Sequence, residues 1–575
     1  MDSRSAAHVL SQIGSLLELT GAPRFNARAY QKAARAVLAL GAEDLGPLLE
    51  SGELKNTPGV GPATIAVIRD LVETGESSYL SRLTEATPIG LVKMARVPGL
   101  GISKVSHIHR ELGIETLEEL EQAARDGRLA KLKGFGPKTA ERVLAGIGFA
   151  RDTGRRSLYH RGLLEAMILR EGVMRHPDVT DAIIAGSVRR HLEVIGDIDV
   201  VAVCKADPVD VARSFTNETA VKEVIENGAQ VSIRYIDDTR MDLWCTKKGG
   251  AAITLWRATG SEKHVADLTS FAEAQGYRFD ADKVHGPDGR AIKVSTEADF
   301  FAALGLDAIP PELREGTGEI EAAASGSLPN LLVSEDIKGA LHCHSTWSDG
   351  SASIEEMAGA AKKRGWKYIG ITDHSQAAFY AGGMKRDKVL RQHEEIDELN
   401  SRTKGFRILK GIESDILPDG SLDYGDDTLD MFDYIVGSVH SQFRMDEASM
   451  TRRVLSVMED PRLTILGHAT GRLLLSRQAY EIDLDAVMDT AVETGTVLEL
   501  NCDPHRMDLD WRYVREAKEK GIMIEIGPDA HSEAELDNVE SGVGMARKAW
   551  LTSDDVLNAK TAAQVLRIAK AKRDR

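Results

Sequence analysis

From about residue 339 to the C-terminus, apolar and polar positions alternate between two patterns. Short runs of β-branched and other apolar residues recur, and each run ends on a residue type that can bind a metal ion. Between these runs lie stretches with helical spacing, such as IEEMAGAAKKRGW and LDAVMDTAVETG. Strands that alternate with helices indicate parallel β/α units, and a closed barrel of such units gathers its chemistry at the carboxyl ends of the strands. The pattern therefore predicts a β/α barrel with reactive side chains at one rim.

The runs deliver a polynuclear set of metal ligands to that rim. Imidazoles and carboxylates without a thiolate set suit Mn²⁺, Zn²⁺ or Fe²⁺ rather than a structural cysteine site. A carboxylate such as Glu413 can bridge two metal ions that prepare a hydroxide for attack on a phosphoester. The residues at the ends of the seven runs are His342 with His344, Asp373 with His374, Glu413, His440, His468, Asn501 with Cys502, and Asp529 with His531.

Residues 1–150 show helical spacing that is interrupted by three similar glycine turns. A glycine turn that opens a helix leaves backbone N–H groups free to hold a phosphate, and such turns resemble helix-hairpin-helix motifs. The alternative interpretation is an ordinary helix end capped by glycine. Three copies, two of them near a lysine, favour binding to the DNA backbone. The residues concerned are Gly59, Gly61, Gly99, Gly101, Lys104, Gly134, Gly136 and Lys138.

A second cluster of acids lies in the mixed strands and helices of the central segment. Asp197 and Asp199 are two residues apart, so they share one face of a strand, and Asp242 begins another strand that could lie beside it. Three carboxylates on adjacent strands suit two Mg²⁺ ions and in-line phosphoryl transfer. Ser187 and Arg190, shortly upstream, would hold the outer phosphates. The alternative is an exposed strand face with solvated acids.

Composition limits the class of protein without deciding it. No run approaches the length of a membrane span, and the N-terminus MDSRSAAHVL lacks the pattern of a secretory signal. Four cysteines without paired spacing indicate reduced thiols in a cytoplasmic protein. The net charge of −17 is unusual for a nucleic-acid-binding protein, but local basic patches and backbone amides can bind phosphates.

The order of the Gly-x-Gly turns, GS-x-RR…GDID, a later MD and ATGS resembles the family X DNA polymerases of the nucleotidyltransferase superfamily. With the metal barrel behind it, the whole chain resembles bacterial and archaeal members that carry a C-terminal PHP (polymerase and histidinol phosphatase) domain. The resemblance implies a multidomain α+β and α/β fold, with a helical helix-hairpin-helix region, a palm with a mixed β-sheet and a (β/α)7 barrel. The implied boundaries are 1–85 and 86–157 for two helix-hairpin-helix domains, 158–250 for the palm, 251–318 for a thumb-like domain, 319–336 for a linker and 337–575 for the barrel.

The resemblance also implies roles for individual residues. Asp197, Asp199 and Asp242 would bind the catalytic Mg²⁺ or Mn²⁺ ions. The triphosphate and sugar of the incoming nucleotide would meet Gly186, Ser187, Arg190, Thr259, Gly260 and Ser261. In the barrel, two to three metal ions would be held by His342, His344, Asp349, His374, Glu413, His440, His468, Asp529 and His531. Arg472 and Arg506 are further candidates for contact with substrate phosphate.

Two departures from the family pattern change what we expect. Relatives usually carry aromatic residues just before TGS, where this chain has Arg257 and Ala258, so we expect weaker discrimination against ribonucleotides. Relatives with deoxyribose-phosphate lyase activity carry a Schiff-base lysine where this chain has Val67. A lyase needs an amine nucleophile, so the sequence gives no support for that activity.

The sequence thus predicts a DNA-directed DNA polymerase that fills short gaps in DNA repair, including base excision repair, with a 3′–5′ exonuclease or 3′-end-processing barrel. Its partners would be primer–template or gapped DNA and dNTPs, and it would be a monomer in the cytoplasm, associated with the nucleoid. The alternative is a DNA-binding nuclease with a weak or inactive polymerase module. A small-molecule phosphatase is a third interpretation, which the three hairpin turns disfavour.

Overall fold

The chain folds into two compact units, Met1–Gly154 and Arg155–Arg575. Within the part of the chain that the structure describes, no helix is both long and apolar enough to cross a membrane. The computed structural model describes residues 1, 3–38, 40, 42, 44–75, 77–95, 97, 100–153, 156–217, 221–236, 238–280 and 283–574.

The first unit is helical and has two hydrophobic cores. Its helices end where the sequence supplies glycine in the left-handed region, as at Gly75 and Gly113, and the helix after Thr116 begins with a capping box to Glu119. The helices are α1 (Ser3–Leu19), α2 (Arg24–Leu38), α3 (Gly46–Glu50), α4 (Glu53–Asn56), α5 (Pro62–Thr74), α6 (Ser78–Ala86), α7 (Ile89–Ala95), α8 (Ile102–Leu112), α9 (Leu117–Arg125), α10 (Arg128–Lys131) and α11 (Pro137–Thr153).

The second unit opens with a mixed five-stranded sheet of order β2-β4-β7-β6-β5, in which β4 and β7 are parallel and the other neighbours are antiparallel. This is the palm predicted from the sequence. Its elements are β1 (Ser157–Leu158), α12 (Tyr159–Met174), β2 (Val179–Ile184), α13 (Gly186–Arg189), β3 (Val194–Ile195), β4 (Ile198–Cys204), α14 (Pro208–Ser214), β5 (Val221–Asn227), β6 (Gln230–Tyr235) and β7 (Arg240–Thr246).

A smaller helical region follows the palm and packs around Trp256, Phe300 and Phe301, which are fully buried. Its elements are α15 (Ala251–Thr259), α16 (Glu262–Ala274), β8 (Arg278–Phe279), β9 (Val284–His285), β10 (Ala291–Ile292), α17 (Glu297–Ala303) and α18 (Glu319–Ala324).

The segment 319–336, predicted as a linker, is itself folded. It contains α18, whose Ile320 and Ala323 are buried in the core around Trp256. Further on, the Leu332 amide donates to the Leu551 carbonyl (2.9 Å). The segment has the composition of a linker, but its few apolar side chains, at irregular spacing, pack it against its neighbours.

The C-terminal region is a seven-stranded parallel barrel, as the sequence predicts. Its strands follow chain order, and the amide–carbonyl bond from His344 to Ala530 (2.8 Å) links the first strand region to the last. Most strand positions are buried, as expected of parallel strands covered by helices. The strands are β11 (Gly339–Ala340), β12 (Tyr368–Ile371), β13 (Arg407–Asp415), β14 (Tyr434–Ser438), β15 (Leu463–Leu466), β16 (Val497–Asn501) and β17 (Ile524–Gly527).

Helices between and after the strands cover the barrel. They are α19 (Ile354–Lys363), α20 (Arg386–Arg402), α21 (Asp426–Leu429), α22 (Glu447–Met458), α23 (Leu484–Thr494), α24 (Trp511–Glu519), α25 (Asn538–Lys548) and α26 (Ala562–Arg573).

Within the second unit, the barrel is attached to the palm and to the region after it through α25. The buried Lys548 ammonium donates to the Arg190 carbonyl (3.1 Å) and forms an ion pair with Glu315. Next to it, Arg547 Nε donates to Glu312 Oε1 (2.7 Å). Since a buried charge is tolerated only when it is paired, these contacts fix the barrel against the loop that follows β2.

Candidate active sites

The barrel gathers its predicted ligands at the carboxyl ends of its strands. They surround a cavity of about 190 Å³, beneath which His342 and His344 are fully buried. Tyr380, not predicted from the sequence, also lines the cavity. The other residues that line it are Asp349, His374, Glu413, His440, His468, Arg506, Asp529 and His531.

Glu413 on β13 lies at the centre of the cluster. Its carboxylate is 2.8 Å from His374 Nδ1, 3.1 Å from His468 Nε2 and 3.3 Å from His440 Nε2. His342 and His344 approach it to 3.5 and 3.7 Å. Such a carboxylate is placed to bridge metal ions.

In the part of the chain that the structure describes, three groups of ligand atoms are close enough for each to hold one ion, with all atoms of a group within 4.8 Å of one another. His344 and His374 each belong to two groups, so the three positions would share ligands. The groups are His344, Asp349, His374 and His531; His342, His344 and Asp529; and His374, Glu413 and His440.

The buried polar atoms of the cluster fit metal ions. Among the described residues, His342 Nε2 and both ring nitrogens of His344 are buried without a hydrogen-bond partner. Burying such atoms unpaired is costly, and a bound cation would satisfy them. Nitrogen and carboxylate donors together suit divalent transition metals.

Charge within the cluster is balanced between carboxylates and imidazoles. Burial disfavours the imidazolium, yet Glu413 raises the pKa of His374 to about 10 and that of His440 to about 9. Burial and the nearby His531 lower the pKa of His344 to about 3. Burial alone would raise the pKa of Glu413, but His440 and His374 hold it well below the usual range. Metal ions would therefore replace protons that the site already attracts.

Two carboxylates that the sequence analysis did not identify orient the ligands. Glu499 Oε1 lies 2.5 Å from His342 Nδ1, and its other oxygen accepts from the His468 amide (2.5 Å). Asp415 Oδ1 lies 2.8 Å from His440 Nδ1. A carboxylate on the second ring nitrogen fixes the tautomer and orientation of a ligating histidine. Glu499 lies two positions before Asn501 on β16, and Asp415 lies two positions after Glu413 on β13. Residues two apart share a strand face, and this spacing could have identified both carboxylates from the sequence.

Two of the residues at the strand ends, Asp373 and Asn501, contact neighbouring side chains and none of the three groups of ligand atoms includes them. Asp373 accepts from the Ser345 and Ser348 hydroxyls (2.6 and 2.5 Å), and Asn501 Nδ2 donates to Asp529 Oδ2 (3.1 Å). Cys343 and Cys502 are free thiols that are fully buried and pack in the barrel core.

The two arginines proposed for phosphate contact differ in placement. Arg506 lines the cavity, with its Nε 3.4 Å from Asp529 Oδ2. Arg472 instead donates to Asp510 Oδ2 (2.9 Å), to the Arg506 carbonyl (3.1 Å) and to the Met507 carbonyl. Its guanidinium therefore holds the loop that carries Arg506, and the geometry favours only Arg506 as a phosphate contact.

The palm brings its three predicted acids together. Asp199 on β4 is the register partner of Asp242 on parallel β7, and Asp197 directly precedes β4. Arg240 Nη2 donates to Asp242 Oδ2 (3.0 Å), and Trp244 Nε1 donates to Asp199 Oδ1 (3.2 Å). Neighbouring parallel strands thus place the carboxylates on one edge.

These acids carry more negative charge than their neighbours compensate. Burial raises the pKa of Asp199 to about 7, and the charge of Asp197 adds to the shift. Burial and Asp242 also raise the pKa of Asp197. An all-carboxylate cluster that resists ionisation in this way fits hard divalent cations, which would favour the ionised form.

The segment after β2, which includes α13, packs against this cluster of acids. Gly186 has φ +59°, and a Cβ there would lie 1.9 Å from Asp199 Oδ2, so only glycine fits. Ser187 Oγ is buried without a hydrogen-bond partner in the part of the chain that is described. Glycine thus lets the backbone pack against the Asp199 carboxylate, and the Ser187 hydroxyl is a donor for a ligand beside the acids.

Arg190 is already engaged. It is buried, its Nε donates to Glu315 Oε1 (2.9 Å), and its Nη1 donates to the Thr259 carbonyl. Gly260 lies against the same guanidinium, and Ser261 caps α16 by accepting from the His264 amide (3.2 Å). The structure thus joins the predicted nucleotide-binding residues of the palm to the Thr259–Ser261 turn.

At the two positions where relatives have aromatic residues, one side chain of this protein is buried and the other binds a backbone carbonyl. Ala258 is buried against Ala185 and Val201, and Arg257 Nη2 donates to the Asp280 carbonyl (2.8 Å). Trp256 is fully buried with its ring centroid 4.8 Å from that of Phe300. Trp256 therefore cannot supply the missing aromatic contact to a sugar.

In the first unit, the glycine turns connect short helices to longer ones. Gly61 and Gly101 are the N-cap residues of α5 and α8, and they offer no side chain to the first helical amides. A Cβ at Gly61, Gly101, Gly134 or Gly136 would meet nothing within 4 Å, so these turns are open. Gly99 lies outside the described residues. Lys104 and Lys138 are exposed near the second and third turns.

Val67, at the position of the lyase lysine, is buried in the core of this unit. An apolar residue packed in a core cannot act as an amine nucleophile.

Three features follow one another along the chain: open hairpin turns, a palm with three clustered carboxylates, and a histidine-rich barrel. Together they define a class of protein, a nucleotidyltransferase joined to a metal-dependent phosphoesterase. Family models match the regions in question. They are a helix-hairpin-helix domain (1–77), a SAM-like helix-hairpin-helix tandem (92–148), the DNA polymerase beta thumb (254–315) and the PHP domain (340–527).

Similar proteins cover either nearly the whole chain or about a third of it. The "DNA polymerase/3'-5' exonuclease PolX" of Bacillus subtilis (strain 168) is 35% identical over 565 residues, which is 98% of each chain. A probable phosphatase of Thermoanaerobacter sp. (strain X514) is 28% identical over 38% of this chain and 88% of its own length. A probable phosphatase of Caldicellulosiruptor saccharolyticus is 29% identical over 34% of this chain and 80% of its own. The chain belongs to the family X DNA polymerases that carry a C-terminal PHP domain.

Proposed function

We propose that this chain is a DNA-directed DNA polymerase that fills short gaps during repair, and that its barrel removes 3′-terminal nucleotides or 3′ blocks. The observation that carries the proposal is the presence of two separate phosphoryl-transfer clusters, one around Asp199 and Asp242 and one around Glu413, on one chain with hairpin turns. The full-length similarity to the Bacillus subtilis polymerase and exonuclease supports both activities.

The palm would bind Mg²⁺ or Mn²⁺ through Asp197, Asp199 and Asp242. Bound there, the ions would orient the primer hydroxyl and the triphosphate for in-line displacement. Ser187 offers an unpaired hydroxyl to a phosphate oxygen, and Gly186 allows close approach to the acids. Arg190 would contact the triphosphate directly only if it gave up its hydrogen bonds to Glu315 and the Thr259 carbonyl. With those bonds in place, it would act by holding the Thr259–Ser261 turn.

The barrel would hold two to three Mn²⁺, Zn²⁺ or Fe²⁺ ions, which would supply a hydroxide at neutral pH. The proposed ligands are those of the sequence analysis. Glu413 would bridge, Glu499 and Asp415 would orient His342 and His440, and Arg506 would contact the phosphate that leaves with the terminal nucleotide.

The first unit would grip the DNA backbone without reading its sequence. Open glycine turns present helix N-terminal amides, and Lys104 and Lys138 add positive charge. Removal of Met1–Gly154, which is a compact unit, should weaken DNA binding and flatten its dependence on salt. An unchanged salt slope would assign these turns a purely structural role.

The proposed domain boundaries are those given by the resemblance, with the segment 319–336 as a folded connection. We also propose that the protein acts as a monomer in the cytoplasm, on DNA of the nucleoid. Chromatographic mass and fractionation of cell lysates test these two points.

An end-labelled primer–template incubated with Mn²⁺, with and without dNTPs, tests the function. Extension with dNTPs and shortening from the 3′ end without them are expected. Shortening without extension would support the alternative of a DNA-binding nuclease. The presence of all three acids together in the palm argues against that alternative. Hydrolysis of small phosphomonoesters alone would support a small-molecule phosphatase.

A further inference from the structure

Two aromatic side chains are exposed at the mouth of the barrel site. Phe379 is 84% exposed and Tyr380 62% exposed, and their ring centroids are 5.9 Å apart in an edge-to-face arrangement. Tyr380 also lines the cavity that holds the metal ligands and Arg506. Two adjacent exposed rings at the edge of a cavity give a ligand in that cavity an apolar surface to pack on.

The loop that carries these aromatics is held rigidly. Ala378 and Ala381 on either side are buried, and the Met384 amide donates to the His374 carbonyl (2.8 Å), which closes the loop on a metal ligand. Lys388 Nζ donates to the carbonyl of Gly382 (3.1 Å). The backbone that carries the two rings is therefore anchored beside the cavity.

A second anchor within the loop comes from Asp423, whose carboxylate accepts from the Ala377 amide (2.5 Å) and whose carbonyl accepts from Gln376 Nε2 (2.8 Å). A Cβ at Gly383 would lie 2.0 Å from the Ser375 carbonyl oxygen, so the chain needs glycine at this close crossing. Sequence and packing thus both maintain the loop that exposes the aromatics.

We propose that Phe379 and Tyr380 stack on the unpaired base of the terminal nucleotide whose phosphodiester is hydrolysed in the barrel. The proposal rests on the barrel function proposed above and names the feature of the substrate that is recognised. Aromatic faces bind any nucleobase by stacking, whereas a small polyol phosphate would need hydroxyl or amide partners that Phe379 does not offer.

The same geometry restricts the base to an unpaired one. A base inside a duplex has its faces covered by its neighbours and its edge occupied by its partner. A single-stranded or mismatched end leaves its terminal base free to stack on Phe379 and Tyr380 beside the cavity that Arg506 lines.

Hydrolysis by the full chain in Mn²⁺ tests the proposal with two single-stranded oligonucleotides, one ending in an ordinary nucleotide and one in an abasic tetrahydrofuran nucleotide. The wild-type protein should favour the end with a base by roughly tenfold. In the Phe379→Ala/Tyr380→Ala variant this ratio should fall to about one, because the abasic end never makes the stacking contact. Tyr513→Ala, an exposed aromatic on α24, is the matched control and should keep the wild-type ratio.

A binding measurement gives a second readout. With 2-aminopurine as the terminal base and a phosphorothioate at the last linkage, binding should change the fluorescence with wild-type protein and with Tyr513→Ala, but not with the double variant. Equal wild-type rates on both ends, or equal slowing of both ends in a double variant with normal circular dichroism and metal content, would overturn the proposal. If the wild-type protein hydrolyses no DNA end, the function proposed for the barrel fails, and the fluorescence still decides whether the aromatics bind a base.

Discussion

The palm and the barrel both assemble acidic side chains at the ends of parallel strands, but they balance the charge of those acids in different ways. In the palm, Asp197, Asp199 and Asp242 face one another with Arg240 as the nearby cation. In the barrel, the carboxylate of Glu413 alone is within 3.7 Å of five histidines.

The consequences for protonation are opposite. Burial and mutual repulsion raise the pKa of Asp199 to about 7 in the palm. Burial would do the same to Glu413, but the surrounding histidines hold its pKa well below the usual range. We therefore propose that cations arriving with a nucleotide would complete the charge of the palm site, whereas the barrel would hold resident ions.

Metal content should show the largest difference between the two sites. After gel filtration in metal-free buffer, the full chain should retain about two to three transition-metal ions per molecule, all in the barrel. Glu413→Gln should lose most of them, and Asp199→Asn should lose none. Elemental analysis measures this, and equal metal loss in the two variants would remove the distinction between resident and exchangeable ions.

The next effect concerns the residues that orient ligands. Glu499→Gln should lower metal affinity or nuclease activity about 10- to 100-fold, because His342 loses the carboxylate that fixes its ring. Primer extension should be unaffected. Glu398→Gln, an exposed acid on α20, is the control. A Glu499→Gln protein with normal metal binding and normal hydrolysis would show that this contact is only structural.

The contact between the regions should have a smaller and more selective effect. Lys548→Met removes the ammonium that holds the Arg190 carbonyl and Glu315, so the loop beside Asp199 should be less well positioned. We expect roughly tenfold weaker use of dNTPs, seen mainly in KM, with hydrolysis by the barrel retained.

Lys363→Met, on the exposed side of α19, is the matched control for Lys548. A fall in both activities with a lower melting temperature would instead mean that Lys548 only stabilises the fold. Unchanged KM for dNTPs would show that the contact does not reach the palm site.

The smallest effect is in pH dependence. A carboxyl with a raised pKa keeps its proton up to the neutral range, so protons compete with cations for Asp199 below about pH 7. The Mg²⁺ concentration for half-maximal extension should therefore rise several-fold between about pH 8 and about pH 6. Steady-state extension at fixed dNTP measures it, and a flat profile would contradict the described electrostatics.

Strand spacing predicted the fold class, the pair Asp197 and Asp199 and the barrel residues at strand ends, whereas the full set of barrel ligands, with Asp349 from a loop, came from the family resemblance. Asp197 and Asp199 share a strand face by their period of two, and the barrel ligands recur at strand ends. The sequence did not predict that Glu499 reaches His342, because these residues are 157 positions apart and only the closed barrel joins them.

The sequence also did not predict the direction in which individual side chains point. Arg472 and Arg506 both follow barrel strands, but one guanidinium binds the backbone of a loop and the other faces the cavity. Folding of the segment 319–336 and exposure of Phe379 likewise depend on tertiary packing that apolar spacing does not encode.

If one chain holds two independent phosphoryl-transfer sites, reciprocal variants of the full chain should separate the two activities. Each variant is assayed on one labelled primer–template, with and without dNTPs. Asp199→Asn should abolish extension and keep 3′ hydrolysis, and Glu413→Gln should abolish hydrolysis and keep extension. Loss of hydrolysis in an Asp199→Asn protein whose barrel is folded and metal-loaded would contradict the account.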